Sequence, residues 1–157
     1  MTKRKITEIV IHHTAGSLND SVQSIIDHHK KINGWRACGY HRIYDPKTKM
    51  TYTTDRFIDN DVYLDDFEMG AGVYAYNRTT VHYSIIGYYH PPYNNELDET
   101  DIETISKHLA IMVDRYKPTN ELMIVGHRDV GPSACPGDNI YKLLPEFRKR
   151  INENLNK

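Results

Sequence analysis

Apolar runs of strand length alternate along this chain with stretches of helical period. Ile6 to Ile11 is β-branched and apolar apart from Thr7-Glu8, and reads as a central strand. His12-His13-Thr14-Ala15-Gly16 leave its end, and Ser17 to Asp20 form a polar loop. A helix starts near Asp20 or Ser21, either of which can accept from the free N–H groups of a first turn. Val22, Ile25, Ile26 and His29 give it one face, Lys30 and Lys31 suit the negative end of its dipole, and Gly34 stops it. Trp35 to Gly39 lead into a second strand, Tyr40 to Tyr44. The turn cluster Asp45 to Lys49 joins it to a hairpin partner, Met50 to Thr53. Asp55 to Asn77 shows no clear period, is acidic and contains Gly70-Ala71-Gly72. It reads as a long surface loop with irregular turns, and such loops in compact domains are often functional.

Val81 to Tyr89 is the next strand, ended by His90-Pro91-Pro92. Thr100-Asp101-Ile102-Glu103 fits a capping box. The helix behind it sets Ile102, Ile105, Leu109, Met112, Val113 and Tyr116 on one face and closes at Lys117-Pro118. Leu122-Met123-Ile124-Val125 then reads as a buried strand that stops at Gly126. A last helical segment runs from about Asn139, with Ile140, Leu143, Leu144, Phe147, Ile151 and Leu155 toward the core; Pro145 splits it, sitting in the first turn of the second piece. No repeat, linker or low-complexity tract interrupts this alternation. The expected class is α/β, a single mixed β-sheet flanked by helices, in one domain over residues 1–157.

Composition narrows the partners. The 157 residues suffice for one domain with a core, and 39% hydrophobic with 26% charged residues is ordinary for a globular protein. Lys and Arg number 20 against 21 acidic residues, a formal net charge of −1, which argues against nucleic acid as a non-specific partner. No apolar stretch approaches membrane-spanning length, so no membrane partner is expected. The basic start, Met1 to Ile6, runs into a short strand rather than a signal-peptide core, and synthesis in the cytoplasm is expected. Two cysteines, Cys38 and Cys135, are too few for a disulfide framework; one bridge between them is the alternative to a free thiol at Cys135.

The stretch Gly126-His127-Arg128-Asp129-Val130-Gly131-Pro132-Ser133-Ala134-Cys135-Pro136-Gly137 carries the candidate chemistry. It opens with a histidine at a strand end and returns, eight positions later, to a cysteine held in a turn. Imidazole and thiolate together suit Zn²⁺. Two donors do not hold a metal, and the His12-His13 pair at the other strand end can supply a third. Adjacent strand residues point to opposite faces, so only one of the pair should reach it. The set His12, His127 and Cys135 leaves a fourth position open, as catalytic zinc sites do, and suits hydrolysis. With nine histidines in the chain, a chance pairing of surface or core residues is the competing reading.

Ile9-Val10-Ile11-His12-His13-Thr14-Ala15-Gly16, Gly39-Tyr40-His41, and the Gly126-His127-Arg128-Asp129 and Ala134-Cys135-Pro136-Gly137 segments resemble the zinc N-acetylmuramoyl-L-alanine amidases. That family includes bacteriophage endolysins and is related to the peptidoglycan recognition proteins. The blocks occur in family order, and the likeness covers nearly the whole chain. It implies that His12, His127 and Cys135 are the Zn²⁺ ligands. Tyr40 falls on the family's catalytic tyrosine, whose phenol would donate to the oxyanion at the attacked carbonyl. His41, facing the other way, is expected to be structural. Two positions depart from the pattern. Ser133 stands where several phage amidases carry a lysine and other members a small hydroxyl residue, so it can donate a hydrogen bond but brings no charge. The loop at Gly70-Ala71-Gly72 lacks a histidine that many relatives carry soon after Gly-Ala. Trp35, Tyr74, Tyr76 and Asn77 are candidates for lining the substrate groove.

The activity implied is hydrolysis of the amide between N-acetylmuramic acid and L-alanine in peptidoglycan, with Tyr40 and Ser133 stabilising the oxyanion. The setting implied is a bacteriolytic, antimicrobial phage or prophage endolysin, made in the host cytoplasm and released to the wall by a holin. A cytoplasmic muropeptide-recycling amidase and a non-catalytic peptidoglycan-binding module are the alternatives. A regulatory contact with a host or phage protein is a further possibility, and a metal nuclease is disfavoured by the charge balance. No sequence feature sets an oligomeric state.

Overall fold

The computed structural model describes residues 2–157. Their elements run β1 (Lys3–Lys5), β2 (Glu8–His13), α1 (Val22–Lys31), β3 (Arg42–Asp45), β4 (Met50–Thr53), β5 (Tyr63–Asp65), β6 (Thr80–Ile85), α2 (Glu99–Tyr116), β7 (Ile124–Gly126), α3 (His127–Val130), α4 (Asp138–Tyr141) and α5 (Leu144–Leu155). The main sheet has the order β4-β3-β6-β2-β7. β2 lies parallel to both β6 and β7, β3 is parallel to β6, and β4 alone is antiparallel. This is the α/β class with one mixed sheet and flanking helices. A two-stranded ribbon of β1 and β5 stands beside it.

Helices cover both faces, so the central parallel strands are buried on both sides. Every residue of β6 is buried, as are Ile9 to His13 of β2. On one face α2 and α5 pack Ile105, Leu109, Tyr116, Phe147 and Ile151 against the sheet. On the other, Ile25 and Ile26 of α1 meet Cys38, Ile43 and Ile86. Burial on both faces has a consequence for chemistry: Thr80, His82 and Ser84 of β6 are fully enclosed, and each needs an internal partner.

Several boundaries differ from the periodicity. β2 starts at Glu8 and runs through His13, because the Ile6 N–H is taken by the Val62 carbonyl instead. Met123 takes a left-handed φ of 67° and Leu122 is exposed, so β7 begins only at Ile124. Tyr40 and His41 precede β3 rather than lying in it. The Asp55–Asn77 segment is not wholly irregular: β5 sits within it and pairs with β1. α2 is capped two residues upstream of Thr100, by Asp98 and Asp101 accepting reciprocally from each other's N–H at 2.8 and 3.0 Å. Carboxylates outcompete the threonine hydroxyl there because they also complement the positive end of the helix dipole. α1 is capped by Ser21 with Ser24 and ends at Lys31, ahead of Gly34. Pro145 stands in the first turn of α5, separated from α4, as the sequence predicts. Leu143 is only partly buried and Leu155 is exposed, which narrows the apolar face of α5.

Candidate metal centre and cleft

The C-terminal ends of two adjacent parallel strands deliver His12 and His127 to one place. His12 is the fifth residue of β2, and His127 follows β7 as the first residue of α3. The loop after α3 returns Cys135 to the same point. One ligand atom from each of the three lies within 4.8 Å of the others. The His12 Nδ1 stands 3.6 Å from the Cys135 Sγ, and the His12 and His127 rings are 5.0 Å apart, nearly edge-on. Local hydrogen bonds fix the loop. The Arg128 N–H donates to the Cys135 carbonyl at 2.8 Å, and its guanidinium reaches the Ala134 carbonyl and, at 3.0 Å, the Asp138 carboxylate. The Cys135 N–H donates to the Ser133 Oγ at 3.1 Å. Gly137 closes the turn with a φ of 89°, and a Cβ there would collide with the Tyr89 carbonyl. His13 faces away, where its Nδ1 accepts from the Tyr89 N–H at 3.1 Å. Its backbone touches the cluster, the N–H 3.4 Å and the carbonyl oxygen 3.8 Å from the Cys135 Sγ. Strand alternation thus settles which of the paired histidines joins the cluster.

The donor chemistry suits a borderline-soft cation. Burial, then the neighbouring His127 and His13, keep the His12 imidazole neutral far below its usual range, and burial lowers His127 as well. Burial pushes the Cys135 thiol up to about 12, against the opposing pull of the His13 N–H and the Arg128 charge. A cation entering here would displace that proton and meet two neutral nitrogens and one thiolate, a set that fits Zn²⁺. Both cysteines are free, and Cys38 is buried beneath α1 with its sulfur 3.4 Å from the His29 Nδ1. The alternative Cys38–Cys135 bridge is therefore not formed.

Residues 2–138 match the sequence profile of the N-acetylmuramoyl-L-alanine amidases. The chain belongs to that family. The peptidoglycan-recognition protein SC2 of Drosophila melanogaster is 28% identical to it over 141 residues, 84% of this chain and 68% of that protein. The fold matches the N-acetylmuramoyl-L-alanine amidase LysC from Clostridium intestinale with a TM-score of 0.74 at 20% identity, over 95% of this chain and 87% of that one. It matches the endolysin of the Thermus scotoductus bacteriophage Ph2119 with a TM-score of 0.71 at 21% identity, over 92% and 85% of the two chains. At these identities the superpositions speak to the fold.

In this amidase-family chain a cleft of about 450 Å³ opens over the cluster, with His12, Tyr40, Trp35, Ser133 and Cys135 in its lining. Past Ala15 and Tyr88 it adjoins a second groove of about 530 Å³ that includes Leu18, Tyr93 and Asn95. The Tyr40 ring lies 5.0 Å from that of His12. Burial, then the nearby Cys135, raise its phenol above the ordinary value, so it stays protonated. The phenol lies close to the Ser84 hydroxyl but outside hydrogen-bond geometry, leaving that buried hydroxyl without a partner among the described residues. Trp35 stands in the cleft wall with its ring 5.0 Å from His29, edge-on.

Tyr76 and Asn77 do not line the cleft. The Asn77 Oδ1 accepts from the N–H groups of Gly72 and Val73 at 3.0 and 2.8 Å, so it braces the loop that forms the wall. Tyr76 leaves its ring partly in solvent and contributes its backbone, the carbonyl accepting from the Thr80 hydroxyl at 2.7 Å and the N–H donating to the Val73 carbonyl at 3.2 Å. Tyr74 is 96% exposed, away from the cleft. His41 is buried within hydrogen bonds and does not line it. Three residues unmarked by the motifs do line it: His29, Asn33 and Tyr88. The helical spacing of His29 shows a face but not that the face borders a cleft. Nothing in the local pattern singles out His82, whose ring touches His12 from behind.

Proposed function

We propose that this amidase-family protein is a Zn²⁺-dependent N-acetylmuramoyl-L-alanine amidase. Its single catalytic domain would hydrolyse the amide between the lactyl group of N-acetylmuramic acid and the L-alanine of the peptidoglycan stem. The convergence of His12, His127 and Cys135 in the lining of an open cleft carries this reading. A Zn²⁺ held by those donors supplies Lewis acidity to a carbonyl oxygen and to water. The remaining work falls to the chain itself. His12 and His127 as neutral imidazoles and Cys135 as a thiolate would hold the cation while leaving it a net positive charge. Tyr40 keeps its proton and donates it as a hydrogen bond where the oxyanion grows. Ser133 accepts from the Cys135 N–H and so retains its own proton to donate to the same oxygen. Trp35 and Tyr88 offer aromatic faces to sugar or peptide. The oxygen of water would add to the lactyl carbonyl carbon, and the proton it sheds would pass to the alanine nitrogen as the C–N bond breaks, giving a carboxylic acid and a free amine.

The setting we propose is a phage or prophage endolysin. It would be made in the host cytoplasm, reach the wall after a holin opens the membrane, and lyse the cell. The fold shared with a phage endolysin motivates this setting. The likeness to a peptidoglycan-recognition protein motivates one other reading, a module that binds peptidoglycan without cutting it. The intact three-donor set and the protonated phenol beside it favour catalysis.

Mass spectrometry of purified peptidoglycan digested with and without a chelator tests the proposal. Free N-terminal alanine without new reducing ends, lost with chelator and restored by Zn²⁺, is expected. New reducing ends would mean a glycosidase, and binding without new amino termini would mean a recognition module. Cleavage confined to soluble muropeptides would point to recycling instead.

A further inference from the structure

We infer that His82 is a positioning residue that sets the tautomer of His12 and aims its Nδ1 lone pair at the metal. The inference rests on the zinc reading above for its purpose, but not for its geometry. β2 and β6 pair in register with Val10 opposite His82 and His12 opposite Ser84. Alternation therefore places the His82 and His12 side chains on the same face of neighbouring strands. His82 is fully buried, so its one N–H and one lone pair must each find a partner.

The direction of every proton in the resulting chain follows from its far end. The Tyr76 carbonyl can only accept, and the Thr80 hydroxyl spends its single proton there at 2.7 Å. From His82, at 3.1 Å, the Thr80 Oγ1 can then only accept, so the His82 proton sits on Nε2. The His82 Nδ1 is left as an acceptor, and its partner at 2.9 Å is the His12 Nε2, which must donate. The remaining His12 lone pair is on Nδ1, the atom 3.6 Å from the Cys135 Sγ. Both rings are buried and face each other nitrogen to nitrogen, so one must donate and the other accept.

The His82 ring is also held in place. Its backbone N–H donates to the His41 Nδ1 at 2.9 Å, and the His41 Nε2 lies 2.6 Å from the Glu68 carbonyl. The two rings stack 5.7 Å apart within 6° of parallel. Over His82 runs the loop that lacks a histidine after Gly70-Ala71. A Cβ at Gly72 would overlap the His82 Nδ1, so the strand-borne imidazole occupies the space that a loop side chain would otherwise enter. A bare residue at position 72 and an imidazole at position 82 are two halves of one arrangement.

The test reads tautomer and metal affinity, not turnover. Long-range ¹H–¹⁵N correlation spectra of the metal-free wild-type protein should show His12 protonated on Nε2. Zn²⁺ affinity, measured against a competing chelator, should fall about ten- to a hundredfold in His82→Leu, which fills the space without an acceptor. His82→Asn restores an oxygen near the former Nδ1 and should bind Zn²⁺ close to wild type. A His12 protonated on Nδ1 in the wild type, or wild-type affinity in a folded His82→Leu, overturns the inference. Because the tautomer is read without metal, Nε2–H on His12 in a protein that takes up no Zn²⁺ would sink the zinc reading alone.

Discussion

The Ser133 hydroxyl accepts the backbone N–H of Cys135 at 3.1 Å, which ties a cleft-lining side chain to the direction of the candidate sulfur ligand. One lone pair is committed to the loop while the hydroxyl proton stays free for substrate. Ser133→Ala removes both functions and should lower kcat about ten- to a hundredfold. Ser133→Thr keeps them and should stay near wild type. Steady-state rates on peptidoglycan beside zinc content check this, and an unchanged kcat in Ser133→Ala would make the residue a bystander.

Replacing the thiol by a hydroxyl removes the only soft donor in the cluster. Cys135→Ser should lose zinc on dialysis and abolish wall lysis. Metal analysis is the check, and unchanged zinc stoichiometry would strike cysteine from the ligand set.

Tyr40 is placed beside the candidate ligands without belonging to the set, its ring 5.0 Å from that of His12. Tyr40→Phe should bind zinc normally and lose about a hundredfold in kcat, the scale of one oxyanion donor. Full activity in that variant would rule out the assigned role.

His41 gives acid sensitivity a definite sign. Burial, the largest cause, lowers its imidazole to about 4, with Arg42 and Arg56 adding to the shift and the Glu68 carbonyl opposing it. The unfolded chain binds this proton more readily, near the usual 6.5, so stability is fully present above that pH and falls as pH drops toward 4. The loss from this one group approaches about 3 kcal/mol. Urea midpoints between about pH 7 and pH 4.5 should fall less steeply in His41→Asn, which keeps an acceptor for the His82 N–H but does not titrate. Parallel profiles would refute it.

Asn77 and Tyr76 should separate cleanly. Asn77→Ala leaves the Gly72 and Val73 N–H groups without their acceptor and should cost about 1–3 kcal/mol in urea denaturation. Tyr76→Ala trims an exposed ring and should stay within about 0.5 kcal/mol of wild type, with KM unchanged. A raised KM in Tyr76→Ala would return that residue to the groove.

The parts of this fold written in local sequence were the parts legible there. Alternation along β2 separates His12 from His13 because period two is a property of the strand itself. Pro145 divides the last helix for an equally local reason. What escaped depends on distant partners. β5 is three residues long and exists because Lys3–Lys5 pairs with it, which no window around Tyr63 reveals. Asn77 looks like a groove amide until the Gly72 and Val73 N–H groups are seen to fold onto it. His82 sits in a run whose every member is buried, where a histidine reads as one more interior residue. A signal did exist: an imidazole inside a buried parallel strand always needs partners, and the candidates were the other histidines.

Gly137 carries a lesson for anyone re-engineering the loop that borders this cleft. Ala134 sits exposed on the rim with room to vary, whereas a side chain at position 137 would need a left-handed backbone and would overlap the Tyr89 carbonyl. Randomised codons belong at position 134, and a library that also scrambles position 137 would fill with unfolded clones before selection began.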